Sequence, residues 1–260
     1  MIGIYFSGTG NSRYALEVFL REYKADSPIY AVEDKELTDE LSNHDEIVFS
    51  YPVQYSDVPK ILRDFIHNNS KLWQGKKIFV IATMAMFSGD GAGVLGRLLK
   101  KHGATITGGL HLIMPDSIAD EKVLKRSYEK NSQLVAKAKT KIVKAVADIK
   151  AGRYPKEGLG AFSRLAGFVS QRLWFGHRTK KYSSKLKIDT DKCIGCSKCV
   201  KLCPTENISM EGKKAKASDR CTVCYRCTVC YRCVNACPVQ AITLLGKKVV
   251  EQTCIEKYVK

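Results

Sequence analysis

The chain has 260 residues, of which 45% are hydrophobic and 27% charged, a composition typical of a folded globular protein with one large or two smaller domains. Its 43 Lys and Arg against 26 Asp and Glu give a formal net charge of +17, and it contains 11 cysteines. The absence of an apolar run of about 18 residues argues against a transmembrane helix. The N-terminus shows no secretory leader, so we expect a cytoplasmic protein.

The charge and the cysteines are distributed unevenly along the chain. Residues 1–120 carry 12 basic and 15 acidic side chains, residues 121–190 carry 18 and 5, and residues 191–260 carry 13 and 6. All 11 cysteines lie between Cys193 and Cys254. We therefore predict an N-terminal domain over 1–150, a basic helical connector over 151–185 and a cysteine-rich domain over 186–260.

The first 117 residues alternate short apolar runs with amphipathic stretches. We predict helices near 12–24, 36–41, 58–72 and 93–102, and strands near 1–7, 28–32, 46–53, 76–85 and 104–114. Such alternation implies right-handed crossovers, so the sequence predicts an α/β fold with a five-stranded, doubly wound parallel sheet.

Two further helices are predicted before the cysteines. The first covers about 119–150 and has one apolar stripe, formed by Val135, Ala138, Ile142, Val146 and Ile149. The second covers about 160–175. Three interpretations of the basic connector remain open: a helix packed between the domains, a surface that steers acidic partners, or an anionic-membrane contact through residues 160–181. Too few aromatic side chains accompany the basic ones to favour nucleic-acid binding.

A candidate phosphate-binding loop follows the first strand. Residues 7–12, with the sequence Ser-Gly-Thr-Gly-Asn-Ser, stand directly before a helix. Glycines let backbone N–H groups converge at the positive end of a helix, where a phosphate can bind without Lys or Arg. The P-loop consensus is absent. The alternative is that these residues only cap the helix.

The cysteine-rich region contains the motif C-x2-C-x2-C-x3-C-P twice. Its cysteines are Cys193, Cys196, Cys199 and Cys203 in the first copy, and Cys227, Cys230, Cys233 and Cys237 in the second. This spacing predicts two [4Fe–4S] clusters, in which the fourth cysteine of each run binds the other cluster. We expect the proline to open a short helix that carries the fourth thiolate across.

The predicted ligand sets follow from that crossed pattern. Cluster I takes Cys193, Cys196, Cys199 and Cys237, and cluster II takes Cys203, Cys227, Cys230 and Cys233. Zinc more often uses separated CxxC pairs or His, and disulfides are not expected without an export signal.

The second motif is preceded by an extra copy of part of itself. The sequence CTVCYR occurs at 221–226 and again at 227–232, which adds Cys221 and Cys224. Two triplets can therefore serve cluster II, either 227/230/233 or 221/224/227, and the first keeps the local motif unbroken. Cys254 lies outside both motifs.

The N-terminal loop, together with Tyr51-Pro52-Val53 and the glycine-rich segment 83–93, makes residues 1–150 resemble a flavodoxin. The resemblance implies bound FMN. It implies that the phosphate is held by Ser7, Thr9, Gly10, Asn11 and Ser12. It also implies that the flavin ring lies between Pro52, Val53 and Tyr55 on one side and Phe87, Ser88, Gly89 and Gly91 on the other.

The C-terminal region, over about 186–245, resembles a bacterial two-cluster ferredoxin, so the whole chain resembles the flavodoxin–ferredoxin fusion proteins. That resemblance implies FMN and two [4Fe–4S] clusters, used to pass low-potential electrons between one-electron and two-electron redox partner proteins. No general acid, base or nucleophile is expected. The alternative is an FMN-dependent reductase that acts directly on a small substrate, a quinone or NAD(P)H.

A second candidate nucleotide-binding motif follows the fourth predicted strand. Residues 91–96 fit G-x-G-x-x-G after a strand, and Asp116 follows at the separation at which a dinucleotide site places its acidic residue. Because the fourth and fifth strands are expected to be neighbours, no switch-point crevice opens between them, and this disfavours NAD(P) binding there.

Overall fold

The computed structural model describes residues 1–87, 89–167, 186–218 and 227–259. Its largest element is a parallel five-stranded sheet in the order β2-β1-β3-β4-β5. The strands are β1 (Ile2–Tyr5), β2 (Ile29–Ala31), β3 (Glu46–Pro52), β4 (Lys77–Met84) and β5 (Thr105–Ile113). The predicted doubly wound α/β fold is confirmed.

Helices cover both faces of the sheet. They are α1 (Asn11–Tyr23), α2 (Leu37–Ser42), α3 (Lys60–Asn68), α4 (Gly91–Lys100) and α5 (Tyr128–Lys150), with a 3-10 turn at Ser70–Trp73. One face buries Phe49 and Trp73, and the other buries Phe19 and Phe79 against α5. β3 and β4 are covered on both sides, which explains why their sequences are almost continuously apolar.

α5 is shorter than the sequence predicts. The predicted apolar stripe is buried, but the helix begins at Tyr128 rather than near residue 119. Ser127 caps it, because its Oγ accepts a hydrogen bond from the backbone N–H of Lys130 at 3.3 Å. Residues 119–127 are therefore not helical and belong to the loop between β5 and α5.

The connector contains a seven-residue helix, α6 (Ala161–Gly167), on which Phe162 is 84% exposed. The rest of the helix predicted at 160–175, and most of the 160–181 segment considered for membrane contact, lies outside the described residues. Within the described ranges, none of the helices has both the length and the hydrophobicity needed to cross a bilayer.

The C-terminal region is a small α+β unit. It contains β6 (Lys187–Ile188), α7 (Lys198–Leu202), β7 (Ile208–Glu211), β8 (Lys214–Ala217), α8 (Arg232–Ala236) and β9 (Ile242–Thr243). β6 pairs with β9 and β7 pairs with β8, both antiparallel. The short helices stand before Pro204 and Pro238, not after them, because the stretch between the third and fourth cysteines of each motif is helical.

The two cores exchange short segments across the predicted domain boundaries. Ala119 is buried in the C-terminal core, where the neighbouring Asp120 carboxylate accepts hydrogen bonds from the backbone N–H groups of Leu244 (2.6 Å) and Leu245 (3.0 Å). In return, Ile255 and Tyr258 are buried in the N-terminal core beside α1 and α5. The two regions therefore share a continuous interface.

Candidate functional site

A cavity of about 540 Å³ lies where the carboxyl ends of β1, β3 and β4 meet. β1 and β3 are adjacent in the sheet although β2 separates them in sequence, so this is the point at which the strand order reverses. Open α/β sheets bind ligands at such a point, and a volume of about 300–1,000 Å³ suits a cofactor.

The predicted phosphate loop lines one end of the cavity through Ser7, Gly8, Thr9, Asn11 and Ser12. The Ser7 hydroxyl is buried and has no hydrogen-bond partner among the described residues, so it is available to an incoming phosphate. The first N–H groups of α1 start at the same loop. These features fit a phosphate bound without a basic side chain.

Two of the predicted phosphate contacts have their side chains engaged elsewhere. The Ser12 Oγ shares a 2.7 Å hydrogen bond with Thr83 Oγ1, and the Asn11 Nδ2 donates to the carbonyl oxygen of Pro115 at 2.7 Å. Both residues line the cavity, but these bonds tie the loop to β4 and to the segment after β5. What they can offer a phosphate is their backbone N–H groups.

The side walls of the cavity are apolar. Pro52, Val53 and Tyr55 lie on the β3 side, and Met86 and Phe87 lie on the β4 side. This arrangement suits a flat aromatic ring. Ser88 is outside the described residues.

Three predicted cofactor residues do not line the cavity in the described structure: Gly10, Gly89 and Gly91. Gly10 turns towards the Ile255 side chain, and Gly89 lies against the backbone of Gly167. Gly91 begins α4, where its carbonyl oxygen accepts a hydrogen bond from the Tyr51 hydroxyl at 2.6 Å. Gly10 and Gly89 shape loops and Gly91 starts a helix, so none of the three contributes surface to the cavity.

Segment 114–124 forms a wall that the sequence did not reveal, because it was assigned in part to α5. It includes Asp116, whose pKa is raised by burial and which lies 3.6 Å from the Lys125 ammonium group. The proline at 115 and the N-cap serine at 127 are the sequence signals that could have marked this segment as a loop.

The four cysteines predicted for each cluster lie together. Site I is enclosed by Cys193, Cys196, Cys199 and Cys237, among other residues. Site II is enclosed by Cys203, Cys227, Cys230 and Cys233. Each site thus draws three cysteines from one motif and the fourth from the other. Cys221 and Cys224 lie outside the described residues.

The two cysteine loops repeat the same backbone conformation at equivalent positions of the two motifs. Ser197 and its counterpart Tyr231 are both left-handed (φ 58° and 63°), as are Gly195 and Val229 (72° and 56°). A left-handed valine is rare because its branched side chain crowds the backbone. The loop 227–233 keeps the cluster-binding shape despite that strain, which favours the 227/230/233 triplet.

The cysteine sulfur atoms differ in the hydrogen bonds that they accept and in their burial. Backbone N–H groups of Asn207 and Ala241 donate to the Sγ atoms of Cys203 and Cys237 at 3.2 and 3.3 Å. In contrast, burial raises the pKa of Cys230 to about 11 and that of Cys233 well above its usual value. Thiolates at those two positions need a neighbouring positive charge, which bound iron supplies.

Site II and the large cavity share part of their walls. Cys230 and Tyr231 line both. The contact is fixed by Gln54, whose Nε2 donates to the carbonyl oxygens of Thr228 and Val229, both at 3.1 Å. Sequence patterns alone could not find these cavity residues, because their position depends on the docking of regions that are distant in sequence.

The competing motif at 91–96 has a structural explanation. Its three glycines lie inside α4, not in a turn before a helix. A side chain at Gly93 would overlap the Gly158 carbonyl oxygen, and one at Gly96 would meet Ile106. The glycines therefore allow close packing, and the geometry offers no dinucleotide loop.

Comparison with protein families agrees with this architecture. A flavodoxin domain model matches residues 2–102, and a 4Fe-4S binding domain model matches residues 186–209 and 225–243. The chain is a flavodoxin–ferredoxin fusion. Its two domains make it a flavin and iron–sulfur electron-transfer protein that binds FMN and 4Fe-4S clusters.

Solved structures similar to the flavodoxin domain include a Megasphaera elsdenii flavodoxin in its two-electron reduced form, with 21% identity and a TM-score of 0.41 over 56% of this chain and 100% of that one. A Fusobacterium nucleatum flavodoxin bound to flavin mononucleotide has 19% identity and a TM-score of 0.37, over 58% of this chain and 98% of that one. No curated protein matches the chain.

Proposed function

We propose that the chain carries one FMN and two [4Fe–4S] clusters, and that it passes low-potential electrons between one-electron and two-electron redox partners. When bound, each cluster exchanges one electron and FMN exchanges one or two. The protein contributes the positions of the three sites and the groups that surround them.

The observation that carries the proposal is the shared wall between site II and the flavodoxin cavity. Cys230 and Tyr231 line both site II and the large cavity. A cluster in site II and a flavin in the cavity would therefore be separated only by the thickness of one residue. Among the described residues, none lines both site I and the cavity. Site II is therefore the intermediate position.

Site I connects to site II through two short helices. α7 runs from Cys199 of site I towards Cys203 of site II, and α8 runs between Cys233 of site II and Cys237 of site I. Each helix covers one cysteine-to-cysteine step. This arrangement supports a row in which site I is the outer end.

The surface around site I suits an acidic partner protein. Cys196 is exposed, and Ile194 beside it is 64% exposed. Exposed lysines surround them at positions 192, 198 and 213. A small apolar patch within a basic rim favours docking of a negatively charged one-electron carrier, with attraction that weakens as salt screens it.

The composition of the holoprotein tests the cofactor set. Anaerobic purification followed by quantification of iron, acid-labile sulfide and FMN should give about eight irons, eight sulfides and one FMN per chain. About four irons would contradict the two-cluster proposal, and absence of FMN would contradict the flavin part of it.

The order of the sites can be tested with cluster variants. We expect Cys196→Ser, which removes an exposed ligand of site I, to slow flavin reduction by an acidic one-electron donor protein but not by a small chemical reductant. If wild type and Cys196→Ser reduce the flavin at the same rate with the protein donor, the proposed row is overturned. Rapid oxidation of NAD(P)H or reduction of a quinone without a protein partner would favour the reductase alternative.

The docking surface can be tested by charge reversal. Lys192→Glu combined with Lys198→Glu should slow reduction by the acidic donor about tenfold or more at low salt, and the difference should shrink at high salt. Lys137→Glu combined with Lys144→Glu, on exposed positions of α5, is the matched control. An equal effect of both pairs would contradict docking at site I.

A further inference from the structure

Arg232 lies between two cysteines of site II and reaches into the flavodoxin domain. Its Nε donates a 2.8 Å hydrogen bond to the carbonyl oxygen of Ser7, the first residue of the phosphate loop. Its Nη2 lies 2.5 Å from the Glu33 carboxylate, and its guanidinium stacks over the Phe6 ring at 5.4 Å. The side chain is only 16% exposed, so these contacts fix it.

The ferredoxin domain touches the phosphate loop at three further positions. A Cβ atom on Gly8 would overlap the carbonyl oxygen of Cys230, which shows how closely the two backbones approach. The Thr9 carbonyl oxygen accepts a hydrogen bond from the N–H of Ile255 at 2.8 Å, and Gly10 lies against the side chain of Ile255. Consecutive residues of the loop, from Ser7 to Gly10, are thus held from outside the flavodoxin domain.

We infer that Arg232 is a positioning residue that couples FMN binding to the occupancy of site II. This inference rests on the proposed function. Arg232 follows Tyr231, which is left-handed, and it begins α8. Cys230 and Cys233 on either side are the groups that a cluster would bind, so an occupied site II holds the backbone of Arg232 in the conformation that aims its side chain at Ser7.

Loss of the cluster removes that constraint. Two half-buried thiols with no common ligand no longer fix the loop, and Arg232 then holds the phosphate loop less well. Coupling of this kind is reciprocal, so bound FMN also stabilises an occupied site II.

The first test compares two cysteine variants in the full chain. Cys203→Ser removes a ligand of site II that does not line the FMN cavity, and Cys196→Ser removes a ligand of site I. We expect Cys203→Ser to raise the Kd for FMN about tenfold or more, within the usual range for coupled sites. We expect Cys196→Ser to change it less than about twofold. Iron content, measured on the same samples, shows which cluster is lost.

The second test asks whether Arg232 transmits the effect. We define the coupling factor as the Kd for FMN in Cys203→Ser divided by the Kd with site II intact. In an Arg232→Gln background this factor should fall below about threefold, and Glu33→Gln, which removes the carboxylate paired with the guanidinium, should lower it as well. A residue with a merely structural role would weaken FMN binding equally with and without the cluster, and would leave the factor unchanged.

The outcomes separate this inference from the proposed function. If Cys203→Ser and Cys196→Ser change the Kd for FMN equally, or if the coupling factor is unchanged in both Arg232→Gln and Glu33→Gln, the role inferred for Arg232 is overturned although the cofactor count stands. If wild type lacks FMN or iron, the proposed function itself fails.

Discussion

At the scale of single residues, Gly8 shows why the phosphate loop needs glycine. Its φ is not left-handed, so backbone conformation does not require glycine here. What requires it is the Cys230 carbonyl oxygen, which occupies the space that a Cβ atom would take. The glycine therefore serves the contact between the domains.

We predict that Gly8→Ala weakens both FMN binding and stability. Overpacking of a tight contact costs about 1–3 kcal/mol, so the free energy of unfolding should fall by that amount. Gly160→Ala is the matched control, because nothing lies within 4 Å of the position that its Cβ would occupy. Denaturant titration and FMN titration of both variants check the prediction, which fails if the two behave alike.

A second residue, His111, predicts a pH dependence. Burial, together with Lys141, lowers its pKa, although Glu157 and Asp90 nearby oppose this. Its Nε2 accepts a 3.0 Å hydrogen bond from the N–H of Ala92, which only the neutral ring can do. Because the folded-state pKa is depressed, this stabilisation is fully present above the unfolded value of 6.5 and is lost as pH falls through the lower folded value.

His111→Gln retains an acceptor but does not titrate. The free energy of unfolding of wild type should therefore fall more steeply between pH 7.5 and 5 than that of His111→Gln. Chemical denaturation at several pH values, under anaerobic conditions, measures both curves. Parallel curves would show that His111 contributes nothing to the pH dependence.

At the scale of elements, the sheet was predictable because each strand carries its own signal. The apolar runs of β3 and β4 indicate strands buried on both faces, and the strand order follows from the flavodoxin resemblance. The start of α5 was not predictable from periodicity, because residues 119–127 contain apolar side chains at nearly helical spacing. Ala119 and Asp120 instead pack against the ferredoxin core.

The side chain of Asp120 accepts three hydrogen bonds. Its carboxylate accepts from the hydroxyl of the buried Tyr231 at 2.8 Å and from two backbone N–H groups. Asp120→Ala leaves these donors without an acceptor, so we predict a loss of about 2–5 kcal/mol in the free energy of unfolding. Asp26→Ala, at an exposed carboxylate, should cost less than about 1 kcal/mol. Equal losses would contradict the role of Asp120.

The grouping of the cysteines, unlike the start of α5, could be predicted from the sequence. Motif spacing groups the same four cysteines that line each small cavity, and their ligation of a cluster stays a prediction. It could not predict that the carbonyl oxygen of Cys230 faces Gly8, or that Arg232 reaches Ser7, because neither contact has a local pattern. The composite wall of the FMN cavity arises only when the two domains dock.

At the scale of the whole molecule, the domains cannot be separated at the connector without damage to both. Ile255 is 5% exposed and packs beside α1, although in sequence it belongs to the C-terminal domain. We predict that Ile255→Ala lowers the free energy of unfolding by about 2–5 kcal/mol and weakens FMN binding, because the Ile255 side chain also packs against Gly10 of the phosphate loop.

Val259→Ala is the matched control for that prediction, since Val259 is 40% exposed. Thermal and chemical denaturation, together with FMN titration, compare the two variants. An Ile255→Ala protein with wild-type FMN affinity would show that the C-terminal segment supports the flavodoxin core without supporting the loop.

The exchange of segments also sets the order in which the protein can mature during synthesis. Translation adds about 5–20 residues per second, and N-terminal domains usually fold before the rest of the chain emerges. Here the flavodoxin core lacks Ile255 and Tyr258 until both cysteine motifs have been translated. The contacts that Ile255 and Tyr258 make with this core can therefore form only after the cysteine region has been translated.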